Sequence, residues 1–119
     1  MILADTSLWI DHFRRANLGL LDLLLDGQVL IHPFVVGEIS CGNLPNRGRV
    51  LYGLQELPSA AVAAHSEVRR LVEEHHLWGR GVGWIDAHLL ASALITDCLL
   101  WTLDQRLHDA ARHLKVEYR

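Results

Sequence analysis

The chain predicts an α/β domain, a short and mostly parallel sheet flanked by helices, and three observations predict it. Short apolar runs at Met1–Ala4, Val29–His32 and Leu99–Leu103 each hand over to a stretch with helical spacing of its apolar residues. Two of these runs are followed at once by a carboxylate, Asp5 and Asp104, which therefore stands where a strand becomes a helix. The length of 119 residues is that of one domain, residues 1–119, and a domain of this size buries roughly two-thirds of the surface of its unfolded chain.

Met1–Ala4 is too short and too apolar for a half-exposed helix and reads as a buried strand, after which Asp5, Thr6 and Ser7 offer helix-capping chemistry. Leu8–Arg15 is helical, with Leu8, Phe13 and either Trp9 or Ile10 facing inward and Asp11 and His12 outward. Leu18–Leu25 carries six leucines around Gly19 and Asp22 and is apolar on more than one face. Such a helix either lies inside the domain or meets a partner chain. Asp26-Gly27 ends it, and Val29–His32 is a strand closed by Pro33.

Phe34–Cys41 then forms a helix that stops at Gly42, Gly42–Arg49 is a polar loop, and Val50–Leu57 is helical up to Pro58. Ser59–Ala63 is a candidate short strand. His65–His76 is an amphipathic helix whose Val68, Leu71 and Val72 oppose Glu67, Arg69, Arg70, Glu73 and Glu74. Leu77–Gly83 is a glycine-rich loop without the Lys and Ser/Thr of a phosphate-binding loop. Trp84–Thr96 is a helix with Ile85, Leu89, Leu90, Ala93 and Leu94 inward. After the strand at Leu99–Leu103, Leu107, Ala110, Ala111 and Leu114 space a last helix with Asp104 as its cap, and Val116–Tyr118 adds an edge strand.

Half of the residues are hydrophobic and a fifth charged, which excludes a disordered chain. No apolar stretch approaches the ~18 residues of a membrane span, and the N-terminus lacks the marks of a secretory signal, so a cytoplasmic protein with no membrane partner is expected. Cys41 and Cys98 are isolated and read as small buried hydrophobes, not as a zinc or redox pair. A net charge of −3 gives no global attraction to nucleic acid, so such a partner needs local basic patches. Ten of the eleven basic residues are Arg, the better fork for phosphate oxygens, although a GC-rich genome has the same effect. His75-His76, and His108 with His113, lack the spacing of a zinc helix and read as surface residues. His88 is only two residues from Asp86 and faces elsewhere.

Two further acids share the predicament of Asp5 and Asp104. Glu38 follows Phe34 by four residues and Val35 by three, which puts it on their apolar face, where an acid is rare unless paired or bound to metal. Asp86 precedes Leu89 and Leu90 by three and four and lies on the inward edge of the first helical turn. Helix capping alone also explains Asp5, Asp86 or Asp104 taken singly. In a parallel sheet, however, all four converge on one crevice, where only a cation relieves their repulsion, and hard oxygen donors match Mg²⁺ or Mn²⁺. Arg80, Arg47 and Arg49 on the loops are candidate phosphate contacts or solvated surface charges.

The words around these acids are Ala4-Asp5-Thr6-Ser7-Leu8-Trp9-Ile10-Asp11, Val36-Gly37-Glu38-Ile39, Trp84-Ile85-Asp86-Ala87-His88-Leu89-Leu90-Ala91-Ser92-Ala93 and Trp101-Thr102-Leu103-Asp104. Across the whole chain they resemble the PIN-domain ribonucleases, in particular the VapC toxins. The resemblance implies a three-layer sandwich around a short, mostly parallel sheet and an acidic quartet of Asp5, Glu38, Asp86 and Asp104. It places Ser7 on a hydroxyl lining the same site, with Thr6 as a substitute. It implies a Mg²⁺-dependent endoribonuclease, with Mn²⁺ able to substitute, that acts as the toxin of a type II pair. RNA is then the substrate, and a VapB-type antitoxin and a homodimer that assembles further are the partners.

Asp5 and Asp86 would be direct ligands, and Glu38 would hold a second ion or serve the attacking water. Gln105-Arg106-Leu107 follows where many relatives carry an aromatic, which leaves the part played by Asp104 open. Contacts to partners are expected from Leu18–Leu25, Trp9, Phe13, Trp78 and Trp84. Two other readings compete: a phosphoaspartyl-type Mg²⁺ phosphatase, which needs an Asp where Ser7 stands and a site lysine in a chain whose one lysine is Lys115, and a non-catalytic α/β binding module whose acids are helix caps.

Overall fold

In the computed structural model, which describes residues 1–119, three short strands make one parallel sheet. Strand β1 (Ile2–Ala4) lies between β2 (Val29–Leu30) and β3 (Leu99–Trp101). Ile2 pairs with Val29 on one side and Leu99 on the other, and Leu3 with Leu30 and Leu100. All of β1 is buried, and since neighbouring strand residues face opposite sides, both faces of the sheet are covered. That is the three-layer α/β sandwich the sequence predicts.

The expected strands at 59–63 and 116–118 shrink to single bridges, Ile31 with Ser59 and Leu100 with Glu117. Beyond Ser59 the chain offers only small side chains to hold a ladder. At the other edge the Leu100 N–H reaches the Val116 carbonyl and the Tyr118 N–H returns to Leu100, which completes the available pairing.

Seven helices surround the sheet: α1 (Thr6–Arg15), α2 (Leu18–Leu25), α3 (Pro33–Ser40), α4 (Arg47–Gln55), α5 (His65–Glu74), α6 (Trp84–Thr96) and α7 (Gln105–His113). Helix α6 is the core element, with every residue from Ala87 to Ala93 buried. It packs on α5 and β3, while α1 packs on β1 and α3. Leu3, Leu8, Leu90 and Leu100 are fully buried at this junction, each contributing about 1.5–3 kcal/mol. No helix is long and apolar enough to cross a membrane.

Several details depart from expectation. Helix α4 starts three residues early because Asn46, in the left-handed region at φ 53°, turns the chain. Arg47 then donates to the carbonyls of Ser40 (2.6 Å) and Gly42 (3.2 Å), so this guanidinium closes the end of α3 and is not free for phosphate. Cys41, the C-cap of α3, is exposed, whereas Cys98 is buried as expected. Trp9 is buried and offers no partner surface. Leu18 and Leu25 stand 69% and 77% exposed while Leu20 is buried, so α2 is not an internal helix.

Candidate active site

The centre of the site is Asp5, the first residue beyond β1. Its N–H continues the sheet ladder to the Trp101 carbonyl (3.0 Å), and its carboxylate turns back to cap α1. Oδ1 accepts from the backbone N–H groups of Ser7 (3.0 Å) and Leu8 (3.4 Å) and from the Ser7 hydroxyl. Oδ2 accepts from the Thr102 hydroxyl at 2.6 Å. Burial raises the Asp5 carboxyl above the usual carboxylate range, and the bonds from Ser7, Thr102 and Leu8 oppose that rise. The carboxylate is thus held in one orientation by groups from both neighbouring segments.

Thr102 and Ser7 stitch the two strand ends together. The Thr102 hydroxyl also accepts the N–H of Asp104 (3.0 Å), and the Ser7 hydroxyl accepts that of Leu103 (2.9 Å). Asp104 in turn caps α7 through Oδ1, taking the N–H groups of Arg106 (2.9 Å) and Leu107 (3.2 Å). Both strand-end acids therefore share one hydroxyl, Thr102. Sequence reading left Thr102 as a strand residue, although a hydroxyl two positions before a strand-end acid was the visible signal.

Glu38 reaches the same place by a different route and needs correcting. It is exposed and does not face the core, because the inward edge of the short helix α3 is filled by Val35 and Ile39. The Phe34–Glu38 edge lies on the rim instead, and Thr6 donates its hydroxyl to Glu38 Oε1 at 2.7 Å. Thr6 thus serves Glu38 and Ser7 serves Asp5. Asp86 is half-buried in the first turn of α6, with Oδ2 accepting the Gly83 N–H (3.3 Å). Its carboxyl is raised, chiefly by burial and against the lowering bond from the Gly83 N–H, and the charges of Asp104, Asp5 and Glu38 add a negative field to that rise.

No cation answers that field. The only ion pair in the chain joins Arg15 to Asp11. Arg80 is exposed on the glycine-rich loop and spends its Nε on the His76 carbonyl (2.8 Å), and Arg49 is exposed on α4. Arg106, which the sequence did not single out, lies across Gly81, where an added Cβ would come within 2.4 Å of its Cδ. The four acids together are an oxygen-donor set suited to a hard divalent ion. No three of them stand within coordinating reach of a common point. Mg²⁺ does not require that, since it keeps several waters and is commonly bound through one or two carboxylates. Each of Asp86, Glu38 and Asp104 has committed only one oxygen to the fold, whereas both Asp5 oxygens accept bonds. The donor set fits Mg²⁺.

Known proteins resemble this chain over nearly its whole length. The sequence profile of the PIN domain matches residues 2–113. A protein named Ribonuclease VapC32, from two strains of Mycobacterium tuberculosis (CDC 1551 / Oshkosh and ATCC 25618 / H37Rv), is 47% identical over 111 residues, 92% of this chain and 90% of the relative. The four acids lie within the matched span and the relative covers nearly the whole chain, so the chain belongs to the PIN-domain family, in its VapC-type branch.

Proposed function

We propose that this chain is a Mg²⁺-dependent endoribonuclease, hydrolysing RNA phosphodiester bonds at the site of Asp5, Glu38, Asp86 and Asp104. In this reading it is the toxin of a type II toxin–antitoxin pair. The observation that carries the proposal is the relationship to a ribonuclease over nearly the whole chain, in a molecule where Asp5 and Asp104 follow adjacent strands and none of the four acids has an ion-pair partner. Acids so placed repel one another and any phosphate unless a metal joins them.

Asp86 and Asp5 would hold Mg²⁺ directly, Asp86 through its uncommitted Oδ1 and Asp5 through the remaining lone pair of Oδ2. When bound, the ion polarises a phosphoryl oxygen and acidifies water for in-line attack. Thr102 and Ser7 orient Asp5. Glu38, exposed and anchored only through Oε1 by Thr6, has Oε2 available to take the proton of the attacking water. Asp104, fixed through Oδ1 as a cap, keeps its other oxygen uncommitted and would add negative charge toward a bound cation. Mn²⁺ would substitute, since it accepts the same ligands.

In the same reading, a VapB-type antitoxin occludes the acids, and the chain forms a homodimer that assembles further with it. The exposed leucines of α2 are surface for such contacts. The phosphatase alternative gains nothing, because Lys115 lies beyond α7 at the opposite end of that helix from Asp104. The test is cleavage of total RNA by the purified chain with Mg²⁺, with EDTA, and with Asp5→Ala and Asp86→Asn. Cleavage should need the metal and fall by at least about a hundredfold in each variant. Undiminished cleavage by both folded variants would sink the assignment, and equal cleavage in EDTA would remove the metal.

A further inference from the structure

A groove of about 840 Å³ runs along the outside of the domain between α5, the glycine-rich loop and the first turn of α6. Its volume is that of a small-ligand site, larger than a crease between side chains. Two kinds of side chain line it. Of the four tryptophans, Trp9 and Trp101 are buried, while Trp78 and Trp84 are 54% and 43% exposed, and both of the latter face this groove. Arg69 and Arg70 stand on its α5 wall with Glu73 as the only acid, so the groove is locally basic in a chain of net charge −3.

None of the four acids lines the groove, but it passes beside them. Gly83, Trp84 and Ala87 line it, and Asp86 lies between them with its carboxylate on the Gly83 N–H. Trp84 also borders the hollow that Glu38 lines. The Trp84 indole is braced from behind by His88, whose ring meets it edge-on at 4.8 Å and 84°, and by His65 at 5.6 Å and 90°. His88 is fully buried and neither of its ring nitrogens has a hydrogen-bond partner, which leaves its N–H only the faces of neighbouring rings to point at. A buried histidine used in this way fixes the plane of an exposed indole.

We infer that this groove binds an unpaired segment of the RNA substrate beside the scissile phosphate. A base stacks on Trp78 or Trp84, and Arg69 holds a backbone phosphate. The inference rests on the ribonuclease reading above. Every base presents a π-face to an indole and every nucleotide a phosphate to a guanidinium, so this pairing of residue types suits single strands without demanding one sequence. A protein partner would also find tryptophan and arginine here, but the continuity with the carboxylates favours the substrate strand.

The two exposed indoles make the groove its own reporter. Tryptophan emission of the full chain, titrated in EDTA with a single-stranded twelve-nucleotide oligouridylate, should be quenched. A duplex of the same length should bind more weakly. Trp78→Ala and Arg69→Ala should each weaken the single strand by about tenfold, the order expected for losing one stacking surface or one phosphate contact. Both positions are exposed, so neither substitution should unfold the chain, and a melting curve of each variant checks this. Absence of quenching, binding by Trp78→Ala and Arg69→Ala within twofold of the wild type, or equal affinity for duplex would overturn the inference. So would a change in solution mass on Trp78→Ala, which would assign the groove to a contact between copies. RNA cleavage that proceeds equally in wild type, Trp78→Ala and Arg69→Ala leaves the ribonuclease standing and removes the groove. Quenching without any cleavage in Mg²⁺ does the reverse.

Discussion

Thr102→Val is the perturbation that most directly tests how the sheet holds its central acid. Valine keeps the shape of threonine and deletes a hydroxyl that donates to Asp5 Oδ2 at 2.6 Å and accepts the Asp104 N–H at 3.0 Å. Asp5 and Thr102 are both buried, so water does not replace the lost partner freely. A hydrogen bond to a charged group is worth about 1.5–3 kcal/mol, so the variant should lose about 2 kcal/mol. For 119 residues that corresponds to a fall in Tm of about 8 °C, from an unfolding entropy of about 2.1 cal/mol/K per residue. The decisive assay is a cycle of four proteins unfolded in urea: wild type, Thr102→Val, Asp5→Ala and the double variant. With Asp5 already truncated, losing the hydroxyl should cost much less, giving a coupling of about 1.5 kcal/mol or more. A coupling below about 0.5 kcal/mol would refute the claim that Thr102 acts through Asp5.

Mg²⁺ should raise the thermal midpoint of the wild type in a concentration-dependent way, by about 1.4 kcal/mol at ten times the dissociation constant, and Asp86→Asn should abolish most of that rise. A calorimetric scan with and without the ion checks it, and equal shifts in both proteins would move the ion elsewhere. His32 carries a pH prediction. Its Nδ1 accepts the Phe34 N–H, so the proton of the neutral ring sits on Nε2 and goes to the Ser92 hydroxyl at 3.0 Å, and burial, then the nearby His88, pushes its pKa down to about 4. The unfolded chain then binds the extra proton first, and the stability His32 contributes is whole above pH 6.5 and lost as pH falls toward 4. The loss is at most about 2 kcal/mol by pH 5. His32→Asn preserves capping chemistry and should flatten that part of the pH profile; His88, likewise held down by burial, is the charge-bearing ring beside it. Gly53→Ala in the middle of α4, with open space at its Cβ, should stabilise by about 0.5–1 kcal/mol. Gly81→Ala, at φ +77° and under Arg106, should destabilise by about 1 kcal/mol or more. Urea midpoints separate the two, and a common sign would contradict the backbone account.

The strand ends were legible because a sheet buried on both faces leaves continuous apolar runs, and the carboxylates that stop those runs are unmistakable. Helices α2 and α6 came out with the ends the sequence predicts, since Asn17, Gly83 and Asp97 are strong boundary residues. Less was legible where a side chain decides by reaching far along the chain. Arg47 builds the first turn of α4 by bonding to carbonyls seven and five residues earlier, which no periodicity records. Glu38 was placed on the right helix but the wrong side, because an eight-residue helix has too few apolar positions for spacing to separate a core face from its rim. The burial of His32 and His88 depends on aromatic neighbours from α3, α5 and α6, and only packing assembles those.

Helix capping and metal binding stand as rival explanations for these acids in the sequence, and in the structure the first does not exclude the second. Asp5 and Asp104 each cap the helix that follows their strand, and Asp86 closes the first turn of α6. Capping fixes one oxygen of a carboxylate against backbone N–H groups, which sets the direction of the other. At a parallel sheet edge the helices that follow neighbouring strands begin near one another, so the caps Asp5 and Asp104 stand at adjacent strand ends. An asparagine or serine would cap nearly as well without the charge. The chain instead uses aspartate at all three starts and adds Glu38, which caps nothing, held toward the group by Thr6. Stability alone does not explain that choice, because like charges add to the rise that burial already imposes on the Asp86 carboxyl. Replacing Asp104 by Asn should therefore keep α7 capped and leave the melting point within a few degrees, yet still weaken Mg²⁺ binding, a separation that a purely structural cap would not produce.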